Sequence, residues 1–409
     1  MNQQLLTRKT IAILGFTQIA SWGSLYYAIA ILAPSIQQEM GWSSGTVFGA
    51  FSWSLLVAGL ASAPVGMLLD RHGGRLVMAS GSLLCAAGMV LLSMAQAKAV
   101  YFMAWTLLGL GMALSLYEAA FATINRMILA NSRQAISTLT LFGGFASTVF
   151  WPLTLKLNSL LGWRDTYLLY GMLQLCLCLP LHLMLGTAKA SDTRASNAPA
   201  SAHGHASPSR PGHTLAEALR HPAFWKLALA FCANSFVFST LSVHLIPLLG
   251  QFGHASAWVV MMAAFIGPMQ VAGRLGEMTF ARHALPQTVG KWVFTALPVA
   301  LLVLMSFGTQ AWAVALFCLL YGLSNGILTI VRGTIPQALF GRDNYGAISG
   351  ALAGPSLLSK AAGPLAMAVV AQDSTTPYPF LLILLLFTLA SLAFYLATIR
   401  QQAVSLEAS

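Results

Sequence analysis

Three ionisable side chains, Glu118, Arg274 and Lys360, each stand inside a long apolar stretch of the sequence. A charge carried to bilayer depth costs at least ~2.5–3.5 kcal/mol on insertion scales, so residues of this kind face a cavity or a partner. Two cations against one acid suit an anionic guest, and a planar guanidinium fork matches a carboxylate in particular. Lys360, in GPSLLSKAAGP, is too far from either end of its apolar stretch to snorkel. Ser356, one turn earlier, shares its face, and the flanking glycines and prolines point to a bent helix with room for a ligand beside the backbone. A purely structural salt bridge is the alternative. Arg274, in MQVAGRLGEM, either receives a ligand or pairs with Glu277 at i, i+3. Glu118, in SLYEAAFATINR, either carries a coupling proton or balances Arg274 or Lys360.

The elements that must position these residues are helices in a membrane. The chain has 409 residues, 57% of them hydrophobic and only 8% charged, where soluble proteins carry about 25% charged residues. Twelve continuous apolar runs, each near the roughly 20 residues that cross a hydrocarbon core, are expected at 11–33, 46–69, 76–95, 99–123, 135–155, 166–186, 223–249, 256–280, 288–307, 311–335, 345–370 and 378–399. They are continuous rather than alternating, which favours helices over barrel strands. At 1.5 Å per residue, Glu118 about 19 residues into span 4, Arg274 about 18 into span 8 and Lys360 about 15 into span 11 reach a similar inner-to-middle depth.

The formal charge of +11 reflects topology rather than a nucleic-acid partner. With the start inside, Arg8, Lys9, Arg71, Arg75, Arg126, Arg133, Lys189, Arg194, Arg210, Arg220, Lys226, Arg282, Lys291, Arg332, Arg342 and Arg400 fall at the inner face, and only Lys98, Lys156 and Arg164 outside. Both termini are therefore expected in the cytoplasm of a multi-pass protein of the cell membrane, in keeping with a bacterial inner membrane, with no cleaved leader. The five cysteines, Cys85, Cys176, Cys178, Cys232 and Cys318, fall within spans and form no disulfide or metal framework.

A segment rich in Ala, Ser, Pro and Gly, 187–219, reads as a cytoplasmic linker between an N-terminal six-helix bundle (1–186) and a C-terminal one (220–409). Its His203, His205 and His213 lack a rigid ligand set. The halves repeat: AIS at 135–137 returns at 347–349 and Pro152 returns as Pro364, both displaced by 212 residues (347 − 135; 364 − 152). Parallel six-helix repeats with a midplane cavity suit alternating access.

Between spans 2 and 3 runs GMLLDRHGGRLVMASG, residues 66–81. Gly66, Asp70, Arg71, Gly73 and Arg75 resemble the signature of the major facilitator superfamily, with Gly74 in place of a usual basic residue. That resemblance implies twelve helices in two bundles, and a latch in which Asp70 meets nearby arginines and the inner end of span 11, holding an outward-open state. On physical grounds Asp70 is badly placed for the dipole of its own helix and needs partners, while the glycine pair lets spans 2 and 3 approach. Simple topogenic charge would explain Arg71 and Arg75 but not Asp70. A second alignment sets Gly273 and Glu277 over Gly66 and Asp70, which would make the region of Arg274 a second latch.

The arginine of span 8 and the lysine of span 11 look like the anion-binding pair of the oxalate/formate antiporter, and Arg274 is also similar to the arginine of monocarboxylate transporters. Span 1 offers Gln18, Trp22 and Tyr26 on one stripe, span 7 offers Asn234, Phe238 and Ser242, and span 10 offers Asn325, Thr329 and Arg332, the last close enough to the inner face to snorkel. Trp22, Tyr26, Asn234 and Asn325 are candidate substrate contacts because the family places spans 1, 4, 7 and 10 around its cavity; packing is the alternative. His244, before Pro247, is a weaker candidate for proton relay or gating.

The combined expectation is a monomeric secondary transporter for a small organic anion, coupled to protons or a counter-anion, with no cofactor, no metal and no enzymatic activity. Drug efflux is the alternative. It lacks support from Trp105, which stands before Gly109 where drug/proton antiporters carry an arginine, and from LTLFGGFASTVFWP in span 5, which has no Gly-Pro pair. A membrane enzyme would need a zinc HExxH motif or a clustered nucleophile and base, and ATP coupling would need a phosphate-binding loop; neither pattern occurs.

Overall fold

The computed structural model describes residues 3–128, 131–186, 212–281, 284–373 and 376–407. Residues 187–211 of the expected linker, with His203 and His205, lie outside the described residues, as does Arg282. Among the described residues every regular element is helical, the form in which an apolar run satisfies its own backbone in lipid.

Span 1 consists of α1 (Gln3–Ser21), a π-helical turn (Trp22–Tyr27) and α2 (Ala28–Met40). Spans 2 and 3 are α3 (Ser44–His72) and α4 (Gly74–Ser93). Span 4 is split into α5 (Lys98–Ser115) and α6 (Tyr117–Met127). Spans 5 and 6 contain α7 (Ser132–Gly144), α8 (Ala146–Leu173), a second π-helical turn (Gln174–Cys178) and α9 (Leu179–Leu183). A short α10 (Leu215–Arg220) precedes α11 (Pro222–Gly250), α12 (Ser256–Phe280), α13 (Pro286–Phe307), α14 (Ala311–Phe340), α15 (Tyr345–Asp373) and α16 (Tyr378–Glu407).

Among the described residues ten helical stretches are long and apolar enough to cross a membrane, and the two that complete the expected twelve have identifiable physical reasons for standing apart. Spans 5 and 6 form one helical run, Ser132–Leu183, reversed inside α8 at Gly162, whose φ of 80° and ψ of 172° only glycine adopts without strain. The turn between α3 and α4 uses the same device at Gly73, with φ 80° and ψ 170°. Span 11, α15, is diluted by Ser, Gly, Pro355, Pro364 and Lys360. Part of the expected linker is also ordered: α10 opens on a capping box in which the Thr214 amide donates to Glu217 Oε2 at 2.7 Å and the Glu217 amide donates to Thr214 Oγ1.

The chain divides into two compact units: Met1–Ala218 with Leu339–Ala351, and Leu219–Ala338 with Leu352–Ser409. In the first, Leu14, Met78, Ala120, Ile124, Leu139 and Tyr345 belong to one buried apolar cluster. In the second, α11, α13 and α16 share a core in which the Phe294 and Tyr395 rings stack at 4.3 Å and Ser391 Oγ donates to the Ala230 carbonyl.

Candidate functional site

In the first unit, the break in span 4 organises the predicted aromatic and acidic residues. Leu116 is extended (φ −83°, ψ −164°), so helix hydrogen bonding stops between α5 and α6. The freed Ser115 carbonyl accepts Gln18 Nε2 at 2.7 Å, and Gln18 Oε1 in turn accepts Trp22 Nε1 at 3.1 Å. Trp22 opens the π-helical turn, a local widening frequent at functional sites. Its ring lies 5.2 Å from Tyr26 and 4.9 Å from Tyr117. Glu118 follows Tyr117 in the first turn of α6, where the helix dipole favours its charge. The two π-helical turns also meet, because Gln174 Nε2 donates to Ser24 Oγ at 3.2 Å. The structure thus brings Trp22, Tyr26 and the segment carrying Glu118 together around one discontinuous helix.

The second unit holds Asn234, Arg274, Asn325 and Lys360. Arg274 is only 5% exposed, and its Nε and Nη1 are buried with no hydrogen-bond partner. Among the described residues no ion pair joins it to Glu277, which is itself buried. Asn234 is 1% exposed, and its Oδ1 is likewise without a donor. Buried polar atoms left in this state cost ~1–3 kcal/mol each, more for charged groups. The side chain bonds that tie α11 to α15 bypass Asn234 and run through Cys232, Ser239 and His244 to the carbonyls of Pro355, Lys360 and Pro364.

The bond at Lys360 has a direct cause. A helical carbonyl is normally taken by the amide four residues on, but residue 364 is proline and has no N–H. Ser239 Oγ replaces that donor on the Lys360 carbonyl at 2.5 Å. The carbonyl that Pro364 deprives of its helical amide is thus that of the lysine itself, and Ser239 satisfies it. His244, expected as a possible relay, places Nε2 3.0 Å from the Pro364 carbonyl. Asn325 is half-buried, and its carbonyl accepts Thr329 Oγ1.

At the end of α3 the signature residues separate into two groups. The Asp70 carboxylate accepts the Gly346 amide at 2.9 Å and the Ala347 amide at 2.7 Å, in the first turn of α15. These amides have no acceptor within their own helix, so Asp70 acts as an N-terminal cap supplied by another helix. The crossing is at backbone distance: a Cβ on Gly66 would overlap the Gly346 carbonyl. Arg71 and Arg75 are exposed and donate nothing to that carboxylate. Arg126 of α6 reaches this corner instead, donating Nη1 to the Asp70 carbonyl and Nη2 to the Arg71 carbonyl. Gly73 serves the turn, whereas a Cβ on Gly74 would overlap Thr123, so that glycine admits span 4 rather than bringing spans 2 and 3 together.

Further polar residues, among them Arg332 of the span 10 stripe, have specific partners that the sequence alone does not show. Arg332 turns to α11, where its Nη2 donates to Ser235 Oγ and the guanidinium lies 5.5 Å from the centre of the Phe231 ring. It is tied to its neighbour rather than left to snorkel. Arg342 donates to the Asn125 carbonyl at 2.7 Å and to the Ile128 carbonyl. In the first unit, at the end of α2, Glu39 accepts Trp163 Nε1 at 2.6 Å and Arg164 Nε at 2.7 Å.

Comparison with known proteins gives this geometry a family. A family model described as Major Facilitator Superfamily matches residues 12–354. Human monocarboxylate transporter 6 is 30% identical over 168 residues, covering 38% of this chain and 32% of that protein. Rat monocarboxylate transporter 3 is 33% identical over 160 residues, covering 37% and 31%. The chain thus spans about a third of the length of these relatives. Among solved structures, the transporter FucP in its outward conformation superposes with a TM-score of 0.72 at 13% identity, over 95% of this chain and 98% of that one. The human organic anion transporter MFSD10 superposes with a TM-score of 0.68 at 15% identity, over 96% and 99%. Two independent signals, a sequence model matching most of the chain and a shared all-helical fold, converge: the chain belongs to the major facilitator superfamily, a family of membrane transporters and not of enzymes.

Proposed function

We propose that this protein is a secondary transporter that moves a small organic anion, a carboxylate, by alternating access between bundles 1–186 and 220–409, coupled to protons or a counter-anion. One observation carries the reading: Arg274 is buried with Nε and Nη1 unsatisfied, a state that an anionic guest would relieve. Supporting it, Lys360 brings a second cation between Pro355 and Pro364 of α15, and the relatives include monocarboxylate transporters.

In this mechanism the guanidinium of Arg274 and the ammonium of Lys360 hold the anion, and Asn234 and Asn325 orient its remaining polar groups. Trp22 and Tyr26 pack against its apolar part. Glu118, the acid of the discontinuous span 4, carries the coupling proton. Asp70 at the start of α15, with Gly66 and Gly73 shaping the approach and the turn and Arg71 and Arg75 anchoring the loop on the inner face, forms the latch that must open for the inner gate to move. The Lys and Arg distribution supports cytoplasmic termini, in keeping with a bacterial inner membrane, and a monomer suffices for this cycle.

The test is transport by the purified protein in liposomes, with labelled mono- and dicarboxylates and an imposed pH gradient. Uptake of at least one carboxylate that falls at least tenfold in Arg274→Ala and Lys360→Ala is expected. Carboxylate uptake that survives both substitutions, or transport of a lipophilic cation instead, would overturn the proposal.

A further inference from the structure

Three helix ends in the first unit are each capped by a charged side chain on, or just ahead of, another of the three. The start of α15 is capped by Asp70 of α3, through the Gly346 and Ala347 amides. The end of α3 is capped by Arg126 of α6, through the Asp70 and Arg71 carbonyls. The end of α6 is capped by Arg342, three residues ahead of α15, through the Asn125 and Ile128 carbonyls. Every sign matches the dipole of the end it meets: a carboxylate on an N-terminus and guanidinium groups on two C-termini. The ring is closed, α3 to α15 to α6 and back to α3.

Arg342 is held in place for this task. The Tyr345 amide donates to the Arg342 carbonyl at 3.2 Å. On the other side of the loop, the Gly212 amide donates to Asp343 Oδ2 at 3.1 Å, and Asn344 Nδ2 donates to the His213 carbonyl at 3.3 Å. Tyr345 packs in the same buried cluster as Leu69 at the end of α3 and Ile124 and Ile128 at the end of α6. The three ends therefore share one apolar core as well as one ring of caps.

We infer that Arg342 is a positioning residue that closes this ring and makes the Asp70 contact and the placement of α6 open and shut together. The consequence reaches the membrane interior, because α6 runs from Arg126 at one end to Glu118 at the other, about 12 Å away along the axis. A change that frees the end of α6 thereby frees the half-helix bearing that acid. The ring stands without the proposed anion site, and its test needs no substrate.

Hydrogen–deuterium exchange of the full chain in nanodiscs, read on peptides covering 66–75, 117–128 and 345–351, provides the test in Arg342→Ala and Arg342→Lys. Removing the guanidinium is expected to speed exchange roughly tenfold at the end of α6 and also at 66–75, which Arg342 does not touch. Arg342→Lys, with a single point charge, should fall between it and the unmodified protein. Arg126→Ala combined with Arg342→Ala should exchange at 66–75 no faster than Arg126→Ala alone, since the ring is already open. A change confined to 339–351 and the end of α6, or multiplication of the two effects at 66–75, would overturn the inference. Where Arg342→Ala does not fold, Arg342→Gln is read by the same two criteria.

Discussion

Replacing Asp70 by Asn tests how much one carboxylate contributes to the start of α15. It accepts two backbone amides, at 2.9 and 2.7 Å, and neither amide has an acceptor within its own helix. A hydrogen bond to a charged group is worth ~1.5–3 kcal/mol, and an anion at a helix N-terminus a further ~0.3–2 kcal/mol. The carboxamide introduced by Asp70→Asn keeps one acceptor oxygen but turns an NH2 group toward the second amide and removes the charge. The net loss is about 2–3 kcal/mol, or roughly 30- to 150-fold in the closed-to-open ratio of this contact. Exchange of the Gly346 and Ala347 amides should rise by that factor in Asp70→Asn, with Asp70→Glu intermediate. Unchanged protection of both amides in Asp70→Asn would refute the capping argument.

Gly66→Ala should open the same contact by a different route, since its Cβ would overlap the backbone carbonyl of Gly346; with Asp70→Asn added, exchange at the start of α15 should rise no further. Ser239→Ala removes the donor that replaces the missing amide of Pro364 and leaves the Lys360 carbonyl unsatisfied. The cost of ~1–3 kcal/mol should lower the thermal midpoint in detergent by several degrees, and Pro364→Ala in the same chain should recover it by restoring the amide.

The large features were legible because each has a one-dimensional cause. Apolar runs mark the spans, and Pro364 marks the Lys360 carbonyl as one without its helical amide. A charge in an apolar run marks Arg274, and among the described residues no ion pair joins it to the sequence-plausible partner Glu277. Asp70 stood out because its sign opposes its own helix dipole.

What was missed depends on which carbonyl meets which side chain. Arg126 and Arg342 looked like topogenic charge, a role any position near the inner face would fill, and their capping of α3 and α6 exists only once three helix ends converge. The break at Leu116 carries neither glycine nor proline at its centre, and it is sustained from span 1 by Gln18. The widened turn at Trp22–Tyr27 leaves no mark in hydropathy at all. Hydropathy also understates α15, because the Ser, Gly, Pro and Lys residues within it make it less apolar.

The central claim is that the buried guanidinium of Arg274 receives an organic anion. It is met most directly by calorimetric binding of acetate, lactate, oxalate and succinate to the purified protein and to Arg274→Gln and Arg274→Lys. The account predicts that at least one of these binds, that Arg274→Gln weakens it tenfold or more, and that Arg274→Lys recovers part of the loss. Equal affinity in Arg274→Gln, in a protein that remains folded, would contradict it.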